Sequence, residues 1–299
     1  MEIRLLKYFL AVAREESITA AAQSLHISQP NLSRQLRELE EELGKTLFHR
    51  SSRRIELTEE GHLLRKRAEE ILNLVQRTEK EITSSESLIA GDVFIGAGET
   101  SDVRYLADAM CTVRTRYPDV HFHISSGDDK DVLYELDNGL IDFGLILTSF
   151  NIDKYDYIRL PGRNSWGVLM RSDAPLANKE LITSEDLRNQ PLILSRRALG
   201  SSILVEWVGP SWNQGQVAAT YSLLYNASLM VEAGMGYAIC LNGIINTTGD
   251  SKLCFRPLKT EHTLSTNVIW KKQSLFSKAS EIFLNELKSV CYQEADCKF

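Results

Sequence analysis

The apolar residues in the first part of the chain recur at the three- and four-residue spacing of amphipathic helices. The first such set contains Leu5, Leu6, Phe9, Leu10 and Ala13. A second, short helix is expected to begin after a cap at Ser17 or Thr19 and to run to Leu25, and His26 and Ile27 form the turn that follows it. This order of a short helix, a tight turn and a further helix predicts a helix-turn-helix.

The helix after the turn has two faces of different chemistry. We expect Ser28 to be its N-cap, with Pro30 in the first turn, where a missing N–H costs nothing. Its apolar stripe consists of Leu32, Leu36, Leu39 and Leu43. Away from that stripe lie Gln29, Pro30, Ser33, Arg34 and Arg37. This face suits a recognition helix that enters the major groove by its N-terminal end, because arginine binds guanine or phosphate and short polar groups reach base edges.

A basic hairpin is expected after this helix. Gly44 ends the helix, and residues 45–50 and 55–58 predict two strands. The turn between them and its flank carry three arginines, Arg50, Arg53 and Arg54. They predict a wing that contacts phosphate. Residues 1–60 hold nine Lys and Arg against ten Asp and Glu, so only the segregation of charge supports DNA binding, and a surface helix with solvated charges is an equal alternative on composition alone.

Residues 59–86 are expected to form one long, highly charged helix. A seam of positions alternates at four- and three-residue intervals, as in a coiled coil, and contains Leu64, Ala68, Ile71, Val75, Thr78 and Ile82. The seam can pair with a second copy of the chain or pack on its own domain, and the pattern leaves both open. Ser84–Ser87 predicts a hinge after the helix.

The last two thirds of the chain alternate strand and helix signals. Strands are expected at 92–97, 120–124 and 141–147, and helices at 103–117 and 132–138. A second unit covers about 162–265, with its clearest strands at 166–170, 192–194 and 237–241, and a last helix spans 275–290. This alternation predicts parallel sheets with helices on both faces.

The run from Phe9 to Arg50, FLAVAREESITAAAQSLHISQPNLSRQLRELEEELGKTLFHR, continues into the leucine-threonine-x-x-glycine of Leu57–Gly61. Over about 65 residues it closely resembles LysR-type transcriptional regulators. A weaker resemblance to the family's effector-binding domain covers Gly139–Leu145, Pro175–Ala177 and Val231–Ala238. The resemblance implies an α/β protein with an N-terminal all-α winged helix-turn-helix and an effector domain of two Rossmann-like lobes, similar to periplasmic binding proteins.

The resemblance also implies a division of the chain. Residues 1–58 would form the winged helix-turn-helix DNA-binding domain, 59–88 the linker (dimerisation) helix and 89–299 the effector-binding domain. Lobe 1 would contain about 89–160 and 266–299, and lobe 2 about 161–265, with the last helix on lobe 1.

Residue roles are carried over from the family by position. Positions matching Gln29, Pro30, Ser33 and Arg34 approach the groove, and the wing positions of Arg50 and Arg53 meet the DNA backbone. Asn31 stands where many members have a small or apolar residue. The complete candidate set for DNA binding is Ser28, Gln29, Pro30, Asn31, Ser33, Arg34, Arg37, Arg50, Arg53 and Arg54.

The implied function is a cytoplasmic, effector-responsive transcription factor that is not an enzyme. Its expected partners are double-stranded DNA with a pseudo-palindromic operator, a small-molecule effector such as a carboxylate, and itself as a homodimer or tetramer. RNA polymerase is a further candidate partner. The competing class is a solute-binding or enzymatic α/β protein whose N-terminal domain makes only protein contacts.

Candidate effector-binding residues follow from the rule that ligands of open α/β sheets bind beyond the C-terminal ends of strands. The rule selects Thr100, Ser101, Ser126, Asp128, Thr148, Ser149, Ser195 and Arg196. Hydroxyls beside helix N-termini suit a small anion, and Arg196 would add a counter-charge. Each residue is equally suited to cap a helix or fill a loop. Glu99 and Asp128 would oppose an anion, which leaves the ligand's charge open.

Other chemistry is not indicated. No nucleophile elbow, phosphate loop, dinucleotide fingerprint or metal-ligand spacing is present, so neither a cofactor nor a metal is expected. The five cysteines are interpreted as free thiols of a reducing cytoplasm, and His121 and His123 as surface or core histidines. No secretory signal and no membrane span are expected, because the N-terminal apolar run is interrupted by charges and no run of about 18 apolar residues occurs.

Overall fold

The computed structural model describes residues 1–50, 55–83, 89–147, 150–162, 164–196, 207, 216–260 and 264–296. The chain divides into two compact units, Met1–Glu86 and Ser87–Phe299. Each unit has its own hydrophobic core and is described by itself.

The N-terminal unit begins with three helices, α1 (Ile3–Glu15), α2 (Ile18–Ser24) and α3 (Gln29–Leu43). Ser17 caps α2 by accepting a hydrogen bond from the Ala20 amide, which confirms one of the two predicted caps. Ser28 occupies the N-cap position of α3 but its side chain makes no capping bond, so the predicted cap is confirmed only in position. Gly44 ends α3 in the left-handed region, at φ +63°, which glycine adopts without a Cβ clash.

The packing of the three helices explains most of the apolar pattern. Leu32, Leu36 and Leu39 of α3 are buried against α1 and α2, as the stripe predicts. Leu43 was expected to belong to the same stripe, but its side chain is 39% exposed. The prediction is wrong there because α3 ends at this residue, beyond the last turn that the core covers.

A two-stranded antiparallel hairpin follows, made of β1 (Phe48–Arg50) and β2 (Ile55–Leu57). The predicted turn of the hairpin, with Arg53 and Arg54, lies outside the described residues. The long helix α4 (Glu59–Thr83) comes next and spans roughly 38 Å at 1.5 Å per residue.

The seam predicted along α4 divides into two halves. In the first half Ala68 is fully buried, and Leu64 and Ile71 pack beside it on the core of the same unit. In the second half Ile82 is 79% exposed and Thr78 is also exposed. The first half therefore has the packing that the alternative interpretation predicted, and only the second half presents the seam to solvent.

The C-terminal unit contains ten strands in two sheets. The strands are β3 (Gly91–Ala97), β4 (Val120–Ser126), β5 (Phe143–Ile146), β6 (Tyr155–Arg159), β7 (Trp166–Arg171), β8 (Leu192–Ser195), β9 (Val217–Tyr221), β10 (Tyr237–Leu241), β11 (Leu253–Pro257) and β12 (Asn267–Lys271). The helices are α5 (Val103–Arg116), α6 (Asp129–Asp137), α7 (Leu224–Glu232) and α8 (Lys278–Asp296).

The first sheet has the order β4-β3-β5-β12-β6 and the second has the order β11-β7-β10-β8-β9. We use lobe 1 and lobe 2 for the layers built around the first and second sheet. The sheets were predicted to be parallel, but both are mixed: β12 runs antiparallel to β5 and β6, and β7 runs antiparallel to β10 and β11. The reason is that the chain leaves lobe 1 after β6 and returns through β12, so the returning strand enters the sheet from the opposite direction.

The layers cover each sheet on both faces. Helices α5 and α8 pack together on one face of the first sheet around Tyr105, Phe143 and Phe283, and α6 covers the other face. Helix α7 packs on one face of the second sheet, and short 3-10 turns at Pro175–Asn178 and Glu185–Leu187 cover its opposite face. The parallel strands β3, β4 and β5 thus end at a common edge of lobe 1.

Candidate DNA-binding face and effector site

The outer face of α3 begins with exposed polar residues and continues into two arginines. Gln29, Arg34 and Arg37 are exposed, and so are Ser28 and Pro30. The face also contains Ser33 and Asn31, which are half-buried. The sequence reasoning therefore identified residues that the fold brings together on one surface.

The arginines of this face make only weak contacts within the helix. The Arg34 side chain lies 3.4 Å from Asn31 Oδ1 and 3.8 Å from Glu38 Oε1, and Arg37 Nε donates to the Ser33 carbonyl at 3.3 Å. Exposed pairs of this kind contribute about 0.3–0.5 kcal/mol, so they orient a guanidinium without preventing its exchange to another acceptor.

The hairpin is positioned by a residue that sequence reasoning missed. Glu40, on the acidic half of α3, accepts hydrogen bonds from the backbone N–H groups of Leu47 and Phe48 at 2.8 and 3.3 Å. The carboxylate thus ties the start of β1 to α3. Arg50 is the last residue of β1, and its side chain lies outside the described residues, as do Arg53 and Arg54.

In the C-terminal unit the loop after β3 contacts the segments that connect the lobes. Thr100 is only 6% exposed, and its hydroxyl donates to Asn164 Oδ1 at 2.8 Å. Asn164 lies between β6 and β7, and its Nδ2 donates to Asp102 Oδ2 at 2.6 Å. The Thr266 hydroxyl, just before β12, donates to the same carboxylate oxygen. This network joins the two connecting segments, which also pair directly through Asn164 and Leu264.

The same loop reaches lobe 2 on either side of Thr100. The carboxylate of Glu99 accepts a hydrogen bond from the Leu224 N–H at 2.6 Å, at the start of α7. Ser101 lies against Gly243, where an added Cβ would stand 3.0 Å from the Ser101 Cβ. Thr100 and Ser101 are therefore placed at the seam between the lobes. The Thr100 hydroxyl already has a protein partner.

Burial controls the ionisation of two groups below this seam. It raises the pKa of the Cys240 thiol to about 12, and the negative charge of Glu99 adds to the rise. Burial also raises the pKa of the Tyr221 hydroxyl, again helped by Cys240 and Glu99. The Tyr221 hydroxyl donates to the Ile239 carbonyl at 2.8 Å, so both groups are structural and neutral.

The remaining effector candidates are more scattered. Ser126 is exposed at the end of β4, beside Ala97 of β3. Asp128 is the N-cap of α6 and accepts from the amides of Lys130 and Asp131, so its carboxylate is used by its own helix. Thr148 and Ser149 lie outside the described residues.

The candidates of lobe 2 lie at the end of β8. Ser195 is half-buried opposite Tyr221 of β9. Arg196 is exposed, and its backbone N–H donates to the Tyr221 carbonyl at 2.9 Å. Both stand at the C-terminal edge of the parallel strands β8 and β9, as the strand-end rule predicts.

Groups that suggest other chemistry were also located. In the described part of the chain no three His, Cys, Asp or Glu side chains lie close enough together to hold a metal ion. His123 stacks on Phe94 and hydrogen-bonds Asp92 at 3.0 Å, a surface pair on neighbouring strands. Cys111, Cys240, Cys254 and Cys291 are free thiols. Among the described helices none is long and apolar enough to cross a membrane.

Comparison with known proteins identifies both units. Residues 3–62 match the family model described as bacterial regulatory helix-turn-helix protein, lysR family. Residues 86–291 match the LysR substrate binding domain. The HTH-type transcriptional regulator BsdA of Bacillus subtilis (strain 168) is 33% identical over 205 residues, which are 68% of this chain and 70% of that protein. The uncharacterized HTH-type transcriptional regulator YybE of the same strain is 28% identical over 80% of this chain and 82% of its own length.

Solved structures show the same fold. Full-length CbnR complexed with its target DNA has a TM-score of 0.74 at 22% identity and covers 97% of this chain and 100% of that one. Full-length OxyR from Pseudomonas aeruginosa has a TM-score of 0.57 at 22% identity, with 98% and 97% covered. Together with the two family matches, these findings show that the chain belongs to the LysR family of transcriptional regulators, with a helix-turn-helix DNA-binding domain followed by a substrate-binding domain.

Proposed function

We propose that this regulator reads a pseudo-palindromic DNA site through the outer face of α3 and that a small molecule held between lobe 1 and lobe 2 controls this reading. The observation that carries the proposal is the separation of chemistry on α3. Leu32, Leu36 and Leu39 are buried, whereas Arg34 and Arg37 stand on the opposite, exposed face. That face fits the major groove, where arginine pairs with guanine or phosphate.

Within this proposal the DNA-contacting set is Ser28, Gln29, Pro30, Asn31, Ser33, Arg34, Arg37, Arg50, Arg53 and Arg54. Residues at the start of α3 would read bases, because the N-terminal end of a recognition helix lies deepest in the groove. The arginines of the hairpin would hold the phosphate backbone and fix the register without reading sequence.

A gel-shift titration on the DNA that flanks the protein's own gene tests this assignment. We expect Arg34→Ala and Ser33→Ala to weaken specific binding, by about 1–3 kcal/mol for a lost base contact. The matched control is Arg65→Ala, since Arg65 is also exposed and pairs with a glutamate four residues on, but stands on α4. Unchanged affinity and sequence preference in both α3 variants would refute the assigned face. No specific binding by the wild type would favour the alternative of an α/β protein with a protein-interaction domain.

The protein is proposed to act as a homodimer or a dimer of dimers. The second half of α4 supports this, because Leu74, Thr78 and Ile82 are exposed on a helix whose first half is anchored to its own domain. Two copies joined there would place two readers side by side, which requires a symmetric site. We expect Ile82→Asp to reduce the oligomer size in light scattering, and Leu63→Asp, at an equally exposed position off the seam, to leave it unchanged.

The effector is proposed to bind where the strand ends of the two lobes approach the seam. The candidate residues remain Thr100, Ser101, Ser126, Asp128, Thr148, Ser149, Ser195 and Arg196. A ligand that contacts both lobes shifts their equilibrium arrangement only by its difference in affinity for the two arrangements. A thermal-shift screen of metabolites identifies such ligands, because binding to the folded state raises the unfolding temperature.

This role involves no catalytic step, so we propose that the protein is not an enzyme. It works on DNA, which places it in the cytoplasm, and RNA polymerase is the partner through which bound regulator would change transcription. The proposed parts are the DNA-binding domain at 1–58, the linker helix at 59–88 and the effector-binding domain at 89–299. Lobe 1 takes in about 89–160 and 266–299, and lobe 2 takes in about 161–265.

A further inference from the structure

The helix α7 begins without a capping side chain of its own. Its N-cap residue is Leu223, which has no hydrogen-bonding group in its side chain, and no side-chain cap is formed there. The first N–H groups of a helix need acceptors, and the positive end of the helix dipole favours a negative one. In this protein the acceptor for the Leu224 N–H comes from the other lobe, as the carboxylate of Glu99.

The contact between Glu99 and α7 is short and joins residues 125 positions apart in the chain. The donor–acceptor distance of 2.6 Å is that of a charge-assisted hydrogen bond. Glu99 follows β3 of lobe 1, and Leu224 follows β9 of lobe 2, so the bond crosses the seam. Ser101 and Gly243 make a second contact between the same loop and lobe 2.

The negative charge of Glu99 is not neutralised by a basic side chain in the described part of the structure, where none of its ion pairs with Lys or Arg occurs. Its field reaches into lobe 2, since it helps to raise the pKa values of Tyr221 and Cys240. A second anion placed beside this carboxylate would meet both its repulsion and an amide donor that is already used.

We propose that Glu99 is a latch between the lobes and a residue that determines effector specificity: it supplies from within the chain the acidic group that caps α7. The inference rests on the proposed binding of an effector at this seam. Its consequence is that the effector is neutral or cationic at the end that meets Glu99. A carboxylate effector, which the sequence alone favoured, would have to displace the latch.

Hydrogen exchange at the Leu224 amide tests the latch in the full-length protein without effector or DNA. We expect Glu99→Ala to lower the protection of this amide by about tenfold or more, because a charge-assisted bond is lost. Glu99→Gln keeps an acceptor without the charge and is expected to give an intermediate rate. Glu135→Ala is the matched control, since Glu135 is also half-buried in lobe 1 but accepts from Ser125 of the same lobe.

Acetate tests the specificity. Thermal unfolding of the four proteins is followed with increasing sodium acetate, at an ionic strength held constant with sodium chloride. We expect acetate to raise the unfolding temperature of Glu99→Ala by a few degrees more than that of wild type and Glu135→Ala, because it can replace the missing carboxylate.

Equal acetate responses in wild type and Glu99→Ala would overturn the specificity. Unchanged exchange of Leu224 in Glu99→Ala would overturn the latch. If Glu99→Ala does not fold, wild-type exchange at Leu224 in Glu99→Gln overturns it equally. These outcomes are separate from the proposed DNA-reading function, which fails only if the wild-type protein does not bind DNA specifically.

Discussion

Replacement of Asp102 by alanine would remove the centre of the hydrogen-bonded network at the two segments that connect the lobes. Asp102 is 1% exposed, and Asn164 and Thr266, which both donate to its Oδ2, are fully buried. Truncation would leave these two donors without their acceptor in a site that water does not reach. The domain is therefore expected to lose stability although no apolar contact of its core changes.

The size of the loss follows from the two bonds. A hydrogen bond to a carboxylate contributes about 1.5–3 kcal/mol, and part of that is recovered if Asn164 and Thr266, whose side chains are 3.4 Å apart, turn to each other. We expect Asp102→Ala to cost about 3 kcal/mol in the free energy of unfolding of the substrate-binding domain. Urea titration followed by tryptophan fluorescence measures it, since all four tryptophans lie in this domain. Asp102→Asn, which keeps one acceptor oxygen, should cost less.

A second substitution tests the geometry of the same carboxylate. A Cβ added at Gly162 would stand 1.9 Å from Asp102 Oδ1, so Gly162→Ala should itself cost about 1–3 kcal/mol. In the Asp102→Ala background the clash is absent, and the same change should cost at least about 1 kcal/mol less. Additive effects, or a loss below about 0.5 kcal/mol for Asp102→Ala, would refute the reasoning.

Three further predictions concern single groups. Glu40→Ala should cost about 1–2 kcal/mol in the N-terminal unit and weaken DNA binding, because the hairpin loses its tie to α3; Glu40→Gln is the control, and unchanged urea unfolding would contradict it. Gly61→Ala should cost about 2 kcal/mol, since its Cβ would stand 2.2 Å from the Leu47 carbonyl oxygen, and a wild-type unfolding midpoint would disprove this. Cys240, with a pKa raised to about 12, should stay protonated and unreactive to a disulfide reagent at about pH 8, while exposed Cys111 reacts; equal native rates would rule this out.

The helices of the N-terminal unit could be predicted from sequence because their signals are local. The leucine spacing in α3, the cap at Ser17 and the stop at Gly44 each act within one or two turns of the chain. Local signals also located most strands of both lobes. They did not fix strand direction, which depends on where the chain returns from lobe 2 through β12.

Contacts between distant residues could not be read in the same way. Glu40 appeared as one of several surface acids, yet it binds the backbone of the hairpin. Glu99 appeared as an obstacle to an anionic ligand, yet its partner is an amide 125 residues away. A carboxylate beside a loop looks the same in sequence whether it faces solvent, a ligand or another lobe, so only the folded arrangement distinguishes these roles. The effector residues themselves stay predictions.

The central claim is that two copies of the protein read DNA together through the outer face of α3. Selection of bound fragments from a random double-stranded DNA library by the full-length protein, followed by sequencing, tests it most directly. The account predicts enrichment of a pseudo-palindrome with two half-sites, and loss of this enrichment in Arg34→Ala but not in Arg65→Ala. Enrichment of no sequence, or of a single half-site without symmetry, would contradict it.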